Sequence, residues 1–141
     1  MNRRLIFRVV FSAIIIAAAA GVWMYFKPHP SVMNTEAAFR ISAPRLIEVF
    51  TEDEARANSV YGGKIVEVEG RLTDIRRSDS TWTLQLGDAS QMAGIICYMQ
   101  KGAPGDYASL RKDTPIRIKG ICNGMLLDVV LDNCIVLDGK E

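Results

Sequence analysis

Residues 64–72, with the sequence KIVEVEGRL, show the clearest periodicity in the chain. Val66, Val68 and Leu72 alternate with charged side chains, so one side of the segment is apolar and the other is charged. Successive side chains of a β-strand point to opposite faces, whereas a helix repeats every 3.6 residues. The alternation therefore predicts a half-buried strand that begins just after Gly62-Gly63.

Four further strands follow along the chain. Each has apolar residues that alternate with polar ones or form a short apolar run. They cover residues 81–86, 95–99, 116–122 and 125–137. Asn123-Gly124 separates the last two strands and favours a tight hairpin, because both residues tolerate positive φ. The last strand is long enough to need a bend near Asp132-Asn133.

Two short helices are predicted before the first strand. Ser42 can cap a helix whose first turn contains a proline and whose apolar face lies within residues 46–50. Thr51 and Glu54 have the spacing of a capping box, which predicts a second helix ending at Gly62-Gly63. The order of elements predicts a mainly β domain with N-terminal helices, a five-stranded Greek-key barrel of the oligonucleotide/oligosaccharide-binding (OB) type. The strand pattern also suits other small barrels.

An apolar segment lies ahead of this domain. Residues 9–26 contain one polar side chain, Ser12, and a helix of this length nearly spans a hydrocarbon core of about 30 Å. Arg3, Arg4 and Arg8 precede the segment, so the positive-inside rule keeps the N-terminus in the cytoplasm. The sequence therefore predicts a single transmembrane helix in the inner (cytoplasmic) membrane, with the C-terminal domain extracytoplasmic.

The predicted boundaries follow from these segments. Residues 1–8 are cytoplasmic, residues 9–26 form the transmembrane anchor, residues 27–41 form a tether, and residues 42–139 form the OB-like domain with its helical segment. The small residues from Ala17 to Ala20 suit signal-peptide cleavage, so removal of the apolar segment stays open as an alternative.

Charge divides the chain unevenly. The whole sequence carries a net charge of +1, but four of its 17 basic residues flank the apolar segment and all 16 acidic residues follow it. The region from Pro28 onward therefore has a net charge of −3. Because binding to phosphates depends on Lys and Arg displacing counterions, this charge disfavours nucleic acid as a ligand.

Several short motifs of the domain together resemble a known family. They are YGGK at 61–64 followed by VEVEG at 66–70, Cys97, GICNG at 120–124 and DVVLDNC at 128–134. The chain is similar in these motifs to the tRNA_anti-like OB-fold proteins of bacteria, which are small and exported or membrane-tethered. The resemblance extends over about residues 41–137. It implies the OB fold and export, but neither catalysis nor RNA binding, since one fold serves many ligands.

Three cysteines in an oxidising compartment allow one internal disulfide. The third and fifth strands of an OB barrel are neighbours, and Cys97 and Cys134 lie late in those strands. The sequence therefore predicts a Cys97–Cys134 disulfide, with three buried free thiols or another pairing as the alternatives.

The sequence contains no P-loop, nucleophile elbow or metal-ligand spacing, and we expect no catalytic activity, cofactor or metal. The candidate binding surface consists of basic and aromatic residues of the predicted strands and turns: Arg71, Arg76, Arg77, Tyr98, Arg117 and Lys119. Such residues also form ordinary solvated surfaces. We expect a membrane-anchored extracytoplasmic binding or assembly module, non-catalytic, whose partner is an envelope protein or a glycan. A single-stranded nucleic-acid-binding domain is the alternative.

Overall fold

The computed structural model describes residues 2–26, 31–88 and 90–138. The chain divides into two compact units, Met1–Ser31 and Val32–Glu141. The first unit is built around one helix, and the second is a β-barrel with two short helices.

The helix of the first unit, α1, extends over Arg3–Tyr25. Its 23 residues rise 1.5 Å each, so it is about 35 Å long, enough for a hydrocarbon core of about 30 Å. Among the residues that the structure describes, α1 is the one helix with the length and composition of a membrane span. An N-terminal signal sequence has the same properties. The helix begins ahead of the predicted anchor and includes its three arginines.

Six strands form the sheet of the second unit. They are β1 Phe39–Ser42, β2 Ile65–Ser78, β3 Thr81–Leu86, β4 Ile95–Met99, β5 Pro115–Met125 and β6 Val129–Asp138. The order is β1-β2-β3-β4-β6-β5, and β5 pairs again with β2, which closes β2 to β6 into a barrel. Within the barrel only β4 and β6 are parallel. This mixed five-stranded barrel confirms the predicted OB-type fold class.

Two helices, α2 Ala43–Glu52 and α3 Glu54–Tyr61, connect β1 to β2. Leu46 and Phe50 of α2 and Ala57 of α3 are buried in the barrel core. Where α2 meets β2, a Cβ on Gly70 would lie 2.6 Å from the Cβ of Ala43. Gly70 is therefore required because α2 approaches β2 too closely for a side chain at this position.

The cap of α3 differs from the prediction. The N-cap is Asp53, whose carboxylate accepts a hydrogen bond of 3.0 Å from the backbone N–H of Arg56. Thr51, the predicted cap, still belongs to α2, and its hydroxyl donates to the carbonyl oxygen of Ile47 at 2.8 Å. The backbone leaves the helical region only at Asp53, with φ −153° and ψ 91°, so this residue is in the position to cap.

Residues 27–41 are predicted to form a tether, but from Val32 onward the segment packs against the barrel. Val32 is buried and packs in a small cluster with Ile65 and Ile135. The strand β1 follows and pairs in parallel with β2. A strand of four residues is too short for its alternation to stand out in a sequence. Residues 27–30 lie outside the described part of the chain.

The turn between β5 and β6 also differs from the prediction. Asn123-Gly124 lies within β5, and residues 126–128 form the connection. Gly124 has a φ of 96°, and a Cβ on it would lie 2.7 Å from Oδ1 of Asn58. The glycine therefore makes room for α3 instead of forming the turn. The predicted bend in the last strand occurs at Asn133, whose φ is 50°.

Candidate ligand-binding face

The outer side of β3 and β4 is the candidate site, because these are the second and third strands of the barrel, and OB-type barrels bind chain-like ligands across that face. Alternate residues of both strands belong to the core. The others point outward, Thr83 opposite Tyr98 and Gln85 opposite Ile96. We call this outward side the ligand face.

One row of side chains crosses the ligand face from β2 to β4. Arg76 is paired with Thr83, which is paired in turn with Tyr98. Residues directly opposite each other on neighbouring strands point to the same side, so a guanidinium, a hydroxyl and an aromatic ring follow one another. Tyr98 is 42% exposed, and its ring is available to a ligand. We call these three residues the outer row.

A carboxylate fixes the basic end of the outer row. Asp74 Oδ2 lies 2.7 Å from Arg76 Nε, and Asp74 Oδ1 lies 2.8 Å from Lys112 Nζ. The hydrogen bonds from Lys112 and then from Arg76 lower the pKa of the Asp74 carboxyl to about 2. Arg76 is therefore held in place on the ligand face, with its positive charge largely balanced.

A shallow pocket of about 230 Å³ adjoins the outer row. It is lined by Thr73, Asp74 and Gln85 and by the β3–β4 loop at residues 87–88 and 91–94. Hydrogen bonds from Ser90 lower the pKa of the Asp88 carboxyl at its rim. Both Asp74 oxygens are already paired with Arg76 and Lys112, so the pocket is polar without a strong net charge and suits a ligand group that forms hydrogen bonds.

Two other basic residues of the predicted surface lie apart from the outer row. The guanidinium carbon of Arg77 lies 5.4 Å from the ring centroid of Trp82, which is half-buried against the core. This distance is that of a cation–π contact. Arg71 is opposite Pro115 on β5 and reaches the carbonyl oxygen of Asp113 at 3.5 Å. Neither residue lies in a row of side chains that continues to β4, so neither belongs to the outer row.

The last two basic residues lie on β5, under the N-terminal segment of the barrel unit. Lys119 is only 8% exposed, and its Nζ donates to the carbonyl oxygen of Thr35 at 3.0 Å. Arg117 reaches Glu67 Oε1 at 3.4 Å, while Arg40 Nε lies 3.2 Å from Glu67 Oε2. We call this side of β2 and β5, which residues 32–38 overlie and β1 borders, the covered face.

The six predicted residues therefore do not form one surface. The structure brings together Arg76 and Tyr98 on the ligand face, and it groups Arg117 with Lys119 on the covered face. Sequence reasoning missed Thr83, Gln85 and Asp74, which complete the ligand face and its pocket. Their alternation with core residues marks them as outward, but only the strand register shows that they adjoin Arg76 and Tyr98.

All three cysteines are buried free thiols in the structure. The Cys97 and Cys134 side chains are close enough for a thiol–thiol hydrogen bond; burial first and then this contact raise the pKa of Cys134. A Cβ on Gly120 would lie 2.5 Å from Cys134 Sγ, so the glycine makes space for that thiol. The Cys97–Cys134 disulfide stays a prediction, which peptide mapping under non-reducing conditions tests.

Similar folds occur among solved structures. A proposed nucleic acid-binding lipoprotein from Klebsiella pneumoniae subsp. pneumoniae MGH 78578 aligns with a TM-score of 0.61 and 20% identity, over 79% of this chain and 100% of that one. An OBody, AM3L09, bound to hen egg-white lysozyme aligns with a TM-score of 0.42 and 17% identity, over 57% and 88% of the two chains. Asparaginyl-tRNA synthetase from Pyrococcus horikoshii aligns with a TM-score of 0.41 and 16% identity, over 56% and 21%.

Sequence comparison gives a result at the level of the family. No curated protein matches the chain. The family model described as tRNA_anti-like matches residues 1–136, nearly the whole length, in agreement with the motifs at 61–70 and 120–134. The protein therefore belongs to the tRNA_anti-like family, whose OB-type barrel it has.

Proposed function

We propose that this protein is a binding module anchored by α1 in the inner membrane, whose barrel binds an extended segment of an envelope protein outside the cytoplasm. It performs no chemistry on that partner. The anchor supports the location, because α1 is long enough to span a bilayer and three arginines lie in its N-terminal part. The outer row beside a polar pocket is the observation that carries the proposed binding.

The ligand face suits an extended peptide better than a phosphate chain. Tyr98 and Ile96 offer apolar contact, and Thr83 and Gln85 offer hydrogen bonds at the spacing of strand residues. The charges of Asp74 and Asp88 are balanced by those of Arg76 and Lys112, so the face has no surplus positive charge of the kind that a phosphate chain requires. A glycan shares the hydrogen-bonding requirement, and the crosslinking experiment below separates a glycan from a peptide.

Site-specific crosslinking in whole cells tests the binding. A photo-crosslinking amino acid at Thr83 in the full-length chain should form adducts with an envelope protein, and Tyr98→Ala should weaken them strongly. The same amino acid at Glu48, which is exposed on α2, is the matched control and should form none. Equal adducts at both positions would contradict binding at the ligand face. Adducts that a muramidase removes would identify a glycan instead.

The location has a separate test. A tag at the C-terminus should be digested when protease is added to intact spheroplasts, because the barrel is proposed to lie outside the cytoplasm. A tag that survives until the membrane is lysed would refute this topology.

Single-stranded nucleic acid is the second candidate, favoured by a guanidinium and an aromatic ring in the same outer row. It predicts oligonucleotide binding that weakens steeply with salt. Absence of binding at low ionic strength would remove this candidate.

A further inference from the structure

Three large apolar side chains are exposed at one end of the barrel. Leu126 and Leu127, in the turn between β5 and β6, are 89% and 85% exposed, and Met92 in the β3–β4 loop is fully exposed. Loops that meet only water are usually polar, and clustered exposed apolar residues mark contact surfaces. We call these three residues the apolar tip.

Hydrogen bonds join the two loops that carry the apolar tip. The backbone N–H of Gly94 donates to Asp128 Oδ1 at 2.6 Å, and that of Val129 donates to the carbonyl oxygen of Gly94 at 3.0 Å. The N–H of Leu126 donates to the carbonyl oxygen of Asp128 at 3.1 Å within the turn. The leucines are thus presented on a braced turn at the same end of the barrel as Met92.

The chain coming from α1 joins the barrel near this end. Val32 packs in the same cluster as Ile65, the first residue of β2, and Ile65 is paired with Ile121 of β5. From Ile121, β5 continues for four residues before the turn, a distance of about 13 Å. Residues 27–31 separate α1 and its C-cap from Val32, and a link of this length spans at most about 20 Å.

We propose that the apolar tip inserts into the outer surface of the membrane in which α1 is anchored. The inference rests on the proposed function, because only an anchored, exported barrel meets that surface. The short link keeps the barrel within reach of the lipid, and burial of the three side chains removes apolar area from water. The partner is the bilayer itself.

The contact is apolar in character. Neither the loop at residues 87–94 nor the segment at 123–129 contains a basic residue, and each contains an aspartate. Insertion therefore needs no anionic headgroups and is insensitive to salt. The outer row lies away from the apolar tip, since β3 ends and β4 begins at the tip, while Thr83 and Tyr98 lie toward the opposite ends of those strands. The pocket beside the outer row shares Met92 and the β3–β4 loop with the tip, so insertion brings this pocket next to the lipid headgroups.

Fluorescence quenching in vesicles tests the insertion. The full-length chain is reconstituted in phosphatidylcholine vesicles with and without brominated acyl chains, with one tryptophan added either as Leu126→Trp or as Ser80→Trp. Ser80 lies in the exposed turn between β2 and β3, at the other end of the barrel. The parent chain contains Trp23 and Trp82, so its emission is subtracted from that of each variant. The remaining emission of the tryptophan at 126 should fall about twofold in brominated vesicles, and that of the tryptophan at 80 should be unchanged, in low and high salt alike.

The outcomes separate this inference from the proposed function. A chain that stays in carbonate-washed membranes but shows no quenching at 126 refutes the insertion and leaves the anchor intact. A chain that carbonate extracts refutes the anchor. A blue shift at 126 that depends on protein concentration and not on brominated lipid would assign the apolar tip to a second copy, and would also overturn the insertion.

Discussion

The ligand face and the covered face contain the same arrangement of charges, but it is buried to different degrees. On each, one carboxylate is held by two basic side chains, Asp74 on the ligand face and Glu67 on the covered face. The basic partners extend into solvent on both faces, but the carboxylate differs, since the side chain of Glu67 is 11% exposed and that of Asp74 is 23% exposed. The N-terminal segment contributes to this difference, because Arg40 on β1 contacts Glu67 and the carbonyl oxygen of Thr35 accepts from the neighbouring Lys119.

This difference separates residues that stabilise the fold from residues that are free to serve a ligand. Exposed ion pairs contribute little, because water and salt screen them. A buried carboxylate held by cations contributes more, because its hydrogen bonds to charged groups are shielded from water. The covered face should therefore respond to mutation as part of the core, and the ligand face should respond mainly in binding.

Glu67→Ala should have the largest effect on stability. It removes a buried carboxylate that accepts from Arg40 and Arg117, and we expect a loss of about 2 kcal/mol in the free energy of unfolding. Urea denaturation of the full-length chain in detergent, followed by tryptophan fluorescence, measures it. Glu69→Ala, two residues along the same side of β2 but exposed, is the control and should change little. Equal losses would erase the distinction between the two faces.

Val32→Ala should come next. Val32 is buried where the N-terminal segment meets the barrel, and loss of its methyl groups leaves a small cavity, so we expect about 1.5 kcal/mol in the same denaturation experiment. Met33→Ala, at the exposed neighbouring position, is the comparison. If the two variants behave alike, residues 32–42 do not stabilise the covered face as the structure indicates.

Lys112→Gln should shift a titration with little change in stability. It removes the hydrogen bond that has the largest effect on the pKa of Asp74, so this pKa should rise from about 2 toward its ordinary value. Because the folded pKa is lowered, the stabilisation from Asp74 is present above its unfolded pKa and is lost as the pH falls through about 2. Carboxyl chemical shifts measured by NMR against pH report the change, and Lys101→Gln should leave it unaltered.

Tyr98→Ala should have the smallest effect on stability, with an unchanged denaturation midpoint. Its ring lies on the open ligand face, whereas Tyr107→Ala removes a ring that is packed against Trp82 and should lower the midpoint clearly. A Tyr98 variant that unfolds as readily as the Tyr107 variant would mean that the tyrosine of the outer row is a packing residue.

Sequence periodicity predicted the barrel well, because β2, β3 and β4 have long or regular apolar patterns. It missed β1, whose four residues give no detectable period. It misplaced the last turn, because Gly124 also suits the close approach of α3, and the local sequence does not distinguish these two uses. Both misses involve contacts between distant segments.

The candidate site was less predictable than the fold. Tyr98 and Arg76 were selected by residue type, but their adjacency depends on the register of three strands. Lys119 has the alternation of an exposed strand residue, yet residues 32–38 bury it. A charged residue that faces outward from a barrel is exposed only where no other segment lies over it.

The position of β6 has a consequence for biogenesis. The last strand to be synthesised lies between β4 and β5, so the barrel cannot close until residues 129–138 are available. Until then β4 and β5 present unpaired edges, which are prone to pairing with other chains. With the proposed export, the barrel would therefore stay unfolded until residues 129–138 had left the translocation channel.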